Sequence, residues 1–385
     1  MNKYIYILGL VGTAFLSACS ADDLTPVLSP KEEKALVIEA AKDSDVPITL
    51  GSLGFGRATT RAPFSDDSSL FETDGGKLSV YCLATGIQTG APNISDIPAS
   101  DEDIVWNDPN NIANWLVNQP AKVSYYNGTG DSPIAGGSGP YNYIEFWKGS
   151  DVFPRYYPFG NWYSYDFFAY YPRVGNANTS YSESGKTCYA NIPIDGTKDV
   201  IWGKALGGFS SKFMREHPTT VPEFEFKHKL SQLVFYIKPR SGDEGVLSAK
   251  GIIVTSLTLK NVYKNLKLVV ASKEDDSAGT LSLSDETNGD IQVRRIDDSN
   301  PLYPITVAND AGDTEEKFVG YAMVPPSDII GGKTYEQYKV NIVVRKTKEG
   351  GIDIPEVGYY NKTITLDDNF VAGRKYKIVL EIKKK

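Results

Sequence analysis

The chain has 385 residues, 41% of them hydrophobic and 23% charged, with a formal net charge of −8. This is the balance of a globular protein with length for two ordinary domains. An acidic chain without a basic stripe lacks the electrostatics of a nucleic-acid binder.

In chain order, Lys3 precedes an apolar run from Tyr4 to Leu16, which ends in Leu16-Ser17-Ala18-Cys19. A span of the bilayer needs about 20 apolar residues, so this run reads as an export signal, residues 1–19. Its last four residues resemble the lipobox of bacterial lipoproteins. There the thiol, here that of Cys19, is acylated (with palmitate, for example) and the signal is removed. Ser20-Ala21-Asp22-Asp23 resembles the acidic tether of surface-exposed lipoproteins. Residues 20–61 read as a tether or propeptide carrying a removable strand.

Within it, Ser29 and Glu32 with Pro30 fit a capping box that opens a helix, although ALVIEA (Ala35–Ala40) also suits a strand. In VPITLGSL, Val46, Ile48 and Leu50 alternate as in a half-buried strand. GFGRATTRAPF (Gly54–Phe64) then sets Arg57 and Arg61 among Gly, Thr, Ala and Pro, a poor helix interior and a poor central strand. An accessible basic tether of this kind is a natural site for proteolysis.

From Lys77 onward short alternating runs separated by turn residues predict an all-β protein of sandwich type. KLSVYCLATG leads into long polar loops, and 15 of the 45 aromatic residues then fall between Tyr141 and Tyr171. YSYDFFAYY there suits a buried strand, and most of the block reads as core. Trp162 and Tyr163, beside Gly160-Asn161 in a turn, are the pair expected at the surface, where they are candidates for stacking on a sugar ring. The boundary falls near Phe209–Pro222, giving domains at 62–217 and 218–385. In EFEFKHKLSQLVFYI the apolar parity switches between Phe224/Phe226 and Leu233/Phe235, predicting a bulge or kink at Ser231-Gln232. Cys82 and Cys188 can form a disulfide in an exported protein or stay free and buried.

Chemistry is sparse. His217 and His228 are the only histidines, and no zinc, calcium or nucleophile-elbow motif occurs. SYSESGKT (Ser180–Thr187) and SDIIGGKT (Ser327–Thr334) end like a phosphate loop but lack its first glycine and its strand-to-helix setting. His228 reads as a core histidine, and the pairs Asp66-Asp67, Asp275-Asp276 and Asp367-Asp368 as solvated turns. No enzyme activity, cofactor, metal or nucleic-acid partner is expected.

The lipobox, Thr60-Arg61-Ala62, YYPFGNWYSYDFFAYYP, Asp199–Trp202, FKHKLSQLVFYI and FVAGRKYKIVLEI occur in the order seen in the fimbrillin family, and nearly the whole chain resembles it. The resemblance implies two tandem transthyretin-like Greek-key β-sandwiches and an outer-membrane lipoprotein of the cell surface and fimbrium. In polymerising members an Arg-specific or trypsin-like protease removes an N-terminal strand, and a strand of another fimbrial subunit fills the groove. By position Arg61 carries the cleavage over, with Arg57 as the fallback. Here ALVIEA and VPITL are the candidates for the leaving strand. Four inward side chains at roughly 1.5–3 kcal/mol each would hold it until cleavage. RKYKIVLEI reads as a body strand with only Lys383-Lys384-Lys385 after it, so a tip, accessory or anchor subunit is expected rather than a stalk. The rival reading is a glycan-binding surface lipoprotein that uses the aromatic block 141–171 as its platform.

Overall fold

The computed structural model describes residues 28–55, 77–108, 110–134, 136–294, 303–329, 338–366 and 369–385. The first element is a helix, α1 (Pro30–Ala40), with Pro30 in its first turn. Ser29 Oγ accepts from the Glu32 amide at 3.4 Å, and the Glu32 carboxylate accepts from the Ser29 amide at 2.8 Å. This reciprocal cap satisfies two N-terminal amides that a helix leaves unpaired. ALVIEA is therefore helix, not strand.

The first half continues with β1 (Asp43–Pro47), β2 (Leu50–Phe55), β3 (Leu78–Ile87), β4 (Asn114–Tyr126), β5 (Tyr141–Lys148) and β6 (Asp151–Val152). It goes on through β7 (Tyr156–Pro158), β8 (Tyr163–Tyr171), β9 (Thr179–Tyr181), β10 (Thr187–Pro193), β11 (Ile201–Phe209) and β12 (Glu223–His228). An eight-stranded sheet runs β2-β12-β11-β8-β3-β4-β5-β6, and β2 also pairs with β5. Strands β2, β12, β11, β8, β3, β4 and β5 thus close into a hydrogen-bonded ring.

The second half supplies β13 (Ser231–Pro239), β14 (Ile252–Tyr263), β15 (Asn265–Ser272), β16 (Leu281–Leu283) and β17 (Asn288–Gln292). After them come β18 (Ile305–Thr306), β19 (Lys317–Val324), β20 (Lys339–Glu349), β21 (Ile352–Thr365) and β22 (Lys375–Ile382). A three-stranded sheet, β19-β13-β22, and a larger one, β17-β14-β20-β21 with β18 on β14, share one buried cluster that includes Phe235, Leu257, Ile342 and Leu380.

The two cores are not divided at 217/218. Strand β12 lies in the first sheet, and β15 and β16 join β10 and β9 in a four-stranded sheet whose Leu266, Leu268 and Val270 belong to the first core. The β13 sheet lies between the cores, with Leu233, Phe235 and Ile237 in the second and Val234 in the first, beside Tyr321 and Met323 of β19. The parity switch in EFEFKHKLSQLVFYI is accordingly not a bulge at Ser231-Gln232. The strand ends at His228 and a new one starts at Ser231 in another sheet.

Candidate functional site at the β2 seam

Strand β2 is the one place where a short N-terminal segment completes the ring. On one side it runs parallel to β12, with Gly51 opposite Glu223 and Ser52 opposite Phe224. On the other it runs antiparallel to β5, with Leu50 opposite Ile144 and Gly51 opposite Tyr143. The Gly51 amide donates to the Pro222 carbonyl at 2.9 Å. A Cβ at Gly51 would stand 3.1 Å from Glu223 Cγ and 3.4 Å from Val221 Cγ1, so the missing side chain lets β12 approach. Leu50 is 1% exposed and Ile48 5%. Burial of each is worth roughly 1.5–3 kcal/mol, an upper range because an unfolded chain hides some of this surface too.

The residues before β2 are docked as well. Strand β1 pairs with β7, Ile48 N donates to the Arg155 carbonyl (2.8 Å), and Phe159 N to that of Lys42 (2.8 Å). Arg215 reaches Asp45 at 2.5 Å. From α1 to β2 this N-terminal arm is an integral part of the first core, held by two main-chain seams and a few apolar side chains.

Beside the seam, the outer face of β5 carries Tyr143, Glu145 and Trp147, opposite Lys122 and Ser124 of β4. Tyr143 Oη and Ser124 Oγ donate to the Glu145 carboxylate at 2.6 and 2.7 Å, and Lys122 Nζ sits 4.0 Å from the Trp147 ring centre. Burial alone would raise the Glu145 carboxyl, but these bonds outweigh it and hold it below the ordinary carboxylate range.

The residues singled out in the sequence fare differently. Cys19, Arg57 and Arg61 lie outside the described residues. In sequence Arg57 follows the end of β2 at Phe55 by two positions and Arg61 by six, so a cut after either leaves all of α1, β1 and β2 on the N-terminal fragment. Cys82 and Cys188 are free and buried, and do not form the disulfide offered as an alternative. Cys82 lies in β3 of the eight-stranded sheet and Cys188 in β10 of the four-stranded sheet.

Trp162 and Tyr163 are not at the surface: they are 6% and 0% exposed. Tyr163 Oη donates to the Asp96 carbonyl (3.1 Å), and the turn before Trp162 packs against the end of α1. They cannot form a sugar platform, and with Tyr165, Phe167, Tyr170 and Tyr171 they belong to the core, while Phe153 and Phe159 of the same block are exposed. His228 Nδ1 is bonded to buried Asp199, and Asp275 accepts from Ser277 N in a turn. Among the described residues no three His, Cys, Asp or Glu side chains gather as a metal site would require. No helix among them is long and apolar enough to cross a membrane. What the sequence alone missed is the pair of strand edges, β5 and β12, that β2 joins. The only local hint was Gly51 inside an otherwise apolar alternation, a sign of close backbone approach.

Residues 109–385 match the family model described as Fimbrillin-like. The chain belongs to the fimbrillin-like family. That places it in a family of structural proteins rather than enzymes. Among curated proteins the fimbrillin-like chain finds no match. Solved structures similar to it include a proposed cell adhesion protein from Bacteroides uniformis (15% identity, 88% of this chain and 94% of that one, TM-score 0.39). Others are a fimbrial protein from Bacteroides ovatus (10%, 89% and 51%, TM-score 0.26) and the fimbrial anchor protein Mfa2 from Porphyromonas gingivalis (10%, 74% and 73%, TM-score 0.25). At scores this low, no residue of the fimbrillin-like chain takes a role from these structures.

Proposed function

We propose that this fimbrillin-like chain is a structural subunit of a cell-surface fimbrium whose N-terminal arm is a removable plug. The observation that carries the reading is the double pairing of β2, to β12 on one side and β5 on the other. Loss of β2 opens the ring, leaves two unpaired edges and uncovers the slot that holds Leu50. An unpaired edge beside an apolar slot takes up a strand from another chain. While the arm is tethered it competes at high local concentration, and cutting the tether ends that advantage.

In this reading Cys19 carries the lipid that holds the precursor at the outer membrane, and a surface Arg-specific or trypsin-like protease cuts after Arg61, or after Arg57 if Arg61 is shielded. The partners are neighbouring fimbrial subunits. In this reading the two cores correspond to the family's two transthyretin-like sandwiches, the first of them also taking in β12, β15 and β16 from beyond residue 217. Strand β22 pairs with β13 from Lys375 to Ile382, and the Lys384 amide is tied to Asp243 at 3.0 Å. Strand β22, so engaged, is not itself a free donor, which favours a tip, accessory or anchor role over that of a stalk subunit.

Limited trypsin treatment of the purified chain, followed by N-terminal sequencing and native mass measurement, tests this. A new start at Ala62, release of the arm and growth of heat-sensitive oligomers are expected, and Arg61→Ala should move or abolish the cut. The reading fails if the chain is cut after Arg61, loses residues up to 61, and then neither binds a peptide copy of β2 nor associates with itself or with other subunits.

A further inference from the structure

The second core has two strand edges that face one groove. Among the described residues strand β22 is the last of its sheet, paired with β13 alone, and β21 is the last of the opposing sheet, paired with β20 alone; past β22 the Lys385 amide donates to Tyr359 Oη of β21 at 2.6 Å. Between them lies a groove of about 270 Å³. Its floor is Ile342, Leu380 and Ile382, 1%, 6% and 2% exposed, and its walls include half-buried Tyr360 and Ile364. Lys362 and the run Lys383–Lys385 ring the opening. Glu381 also lines it but is engaged by Lys238 at 3.1 Å, and Lys384 by Asp243 at 3.2 Å. Lys362, Lys383 and Lys385 are exposed and leave the rim positive.

An outer strand turns alternate N–H and C=O groups away from its only neighbour, so β21 and β22 each offer a row of main-chain partners. Main-chain partners select an extended peptide, an apolar floor selects alternate apolar side chains, and a lysine rim selects carboxylates. We propose that this groove is a second strand-accepting site, occupied by an extended segment of another protein with apolar residues at every second position and acidic residues at one end. About six residues at ~3.3 Å each would run alongside β22. The site is present while β2 is still in place and needs no proteolysis, so it goes beyond the plug reading and does not rest on it.

The test uses the uncut full chain and a fluorescein-labelled peptide, Glu-Glu followed by four Val-Thr repeats. Anisotropy should show saturable binding, and hydrogen exchange should slow at β21 and β22. A copy with proline at alternate positions, which cannot donate main-chain bonds, should fail to bind. Ile364→Glu, and separately the exposed pair Lys362→Glu with Lys383→Glu, should each weaken binding at least tenfold, with circular dichroism confirming that both variants fold. Absence of saturable binding would overturn the proposal. So would equal binding of the proline copy, or unchanged binding in both variants. Uptake of phosphatidylglycerol vesicles without peptide binding would make the groove a lipid site and overturn it too. Arg61→Ala should bind the peptide like the parent chain, so failure here leaves the β2 reading standing, and failure there leaves this one.

Discussion

Gly160 faces Ala40 so closely that a Cβ on the glycine would stand 2.5 Å from that of the alanine. The same turn donates Gly160 N to the Ala40 carbonyl at 3.1 Å, so the end of α1 is seated on the turn that opens β8. A side chain at position 160 must push the arm away. Gly160→Val is expected to cost about 1–3 kcal/mol by overpacking and to speed hydrogen exchange at Ile48 and Gly51, the amides nearest the seam. A variant with an unchanged urea midpoint and unchanged exchange at those two amides would show that the arm is held elsewhere.

The two cysteines give a second check. Burial drives the Cys82 thiol well above its ordinary value, with Asp166 adding to the effect, and burial raises Cys188 as well. Thiolate is the reactive form, so both should be inert in the folded chain. Iodoacetamide should leave Cys82 and Cys188 of the native protein unlabelled, as read by peptide mapping, and label both after denaturation without a reductant. A mass two units lighter than the dithiol, or a melting point that falls with dithiothreitol, would contradict two free, buried thiols.

Much of the strand layout was legible because a half-buried strand writes its two faces into the sequence. YSYDFFAYY became β8, RKYKIVLEI became β22, and Ser29 with Glu32 announced the cap of α1. Which strand lies beside which was not legible, since pairing depends on residues far away in the chain. EFEFKHKLSQLVFYI shows the limit. Alternation says that Phe226 and Leu233 face opposite ways, but not that each has a core of its own. Trp162 was misjudged for a similar reason. A Gly-Asn turn reads as exposed, yet Ala40 comes down on it from α1, and Asn161 Oδ1 accepts from Lys212 N of the short helix Ser211–Glu216 at 3.1 Å. The β2 seam combined both difficulties, with a readable strand whose two neighbours come from distant segments.

The crossing from one core to the other is fastened at Asp199, which is 3% exposed. Its Oδ1 accepts from Val200 N at 2.7 Å and from Leu230 N at 3.2 Å, while Oδ2 bonds His228 Nδ1. Burial raises this carboxyl above its ordinary value, against the opposing pull of His228 and the two amides. Asp199→Ala strips an acceptor from two amides at the strand switch and should lower stability by about 3–5 kcal/mol. Asp199→Asn keeps an acceptor for both and should lose less. Chemical denaturation of the two variants ranks them, and equal losses would mean that the charge matters here and the amides do not.

Lys229, in the same crossing, gives the chain a stability term that grows in alkali. Burial pushes its ammonium down to about 8, with the like charge of Lys227 adding to it, while its Nζ stands 5.1 Å from the Trp202 ring centre. In the unfolded chain a lysine keeps its proton to about 10.4. Below pH ~8 both states are protonated and the term is flat. Between about 8 and 10.4 the unfolded state binds more protons than the folded one, so stability rises with pH across that window. Lys229→Met removes the group. The difference in unfolding free energy between parent and variant should therefore be constant from pH 6 to about 7 and shift toward the parent from pH 8 to 10. Buried tyrosines titrate in both proteins and cancel in that difference. A difference that stays level through pH 10 would place the Lys229 ammonium in water and not under the first core.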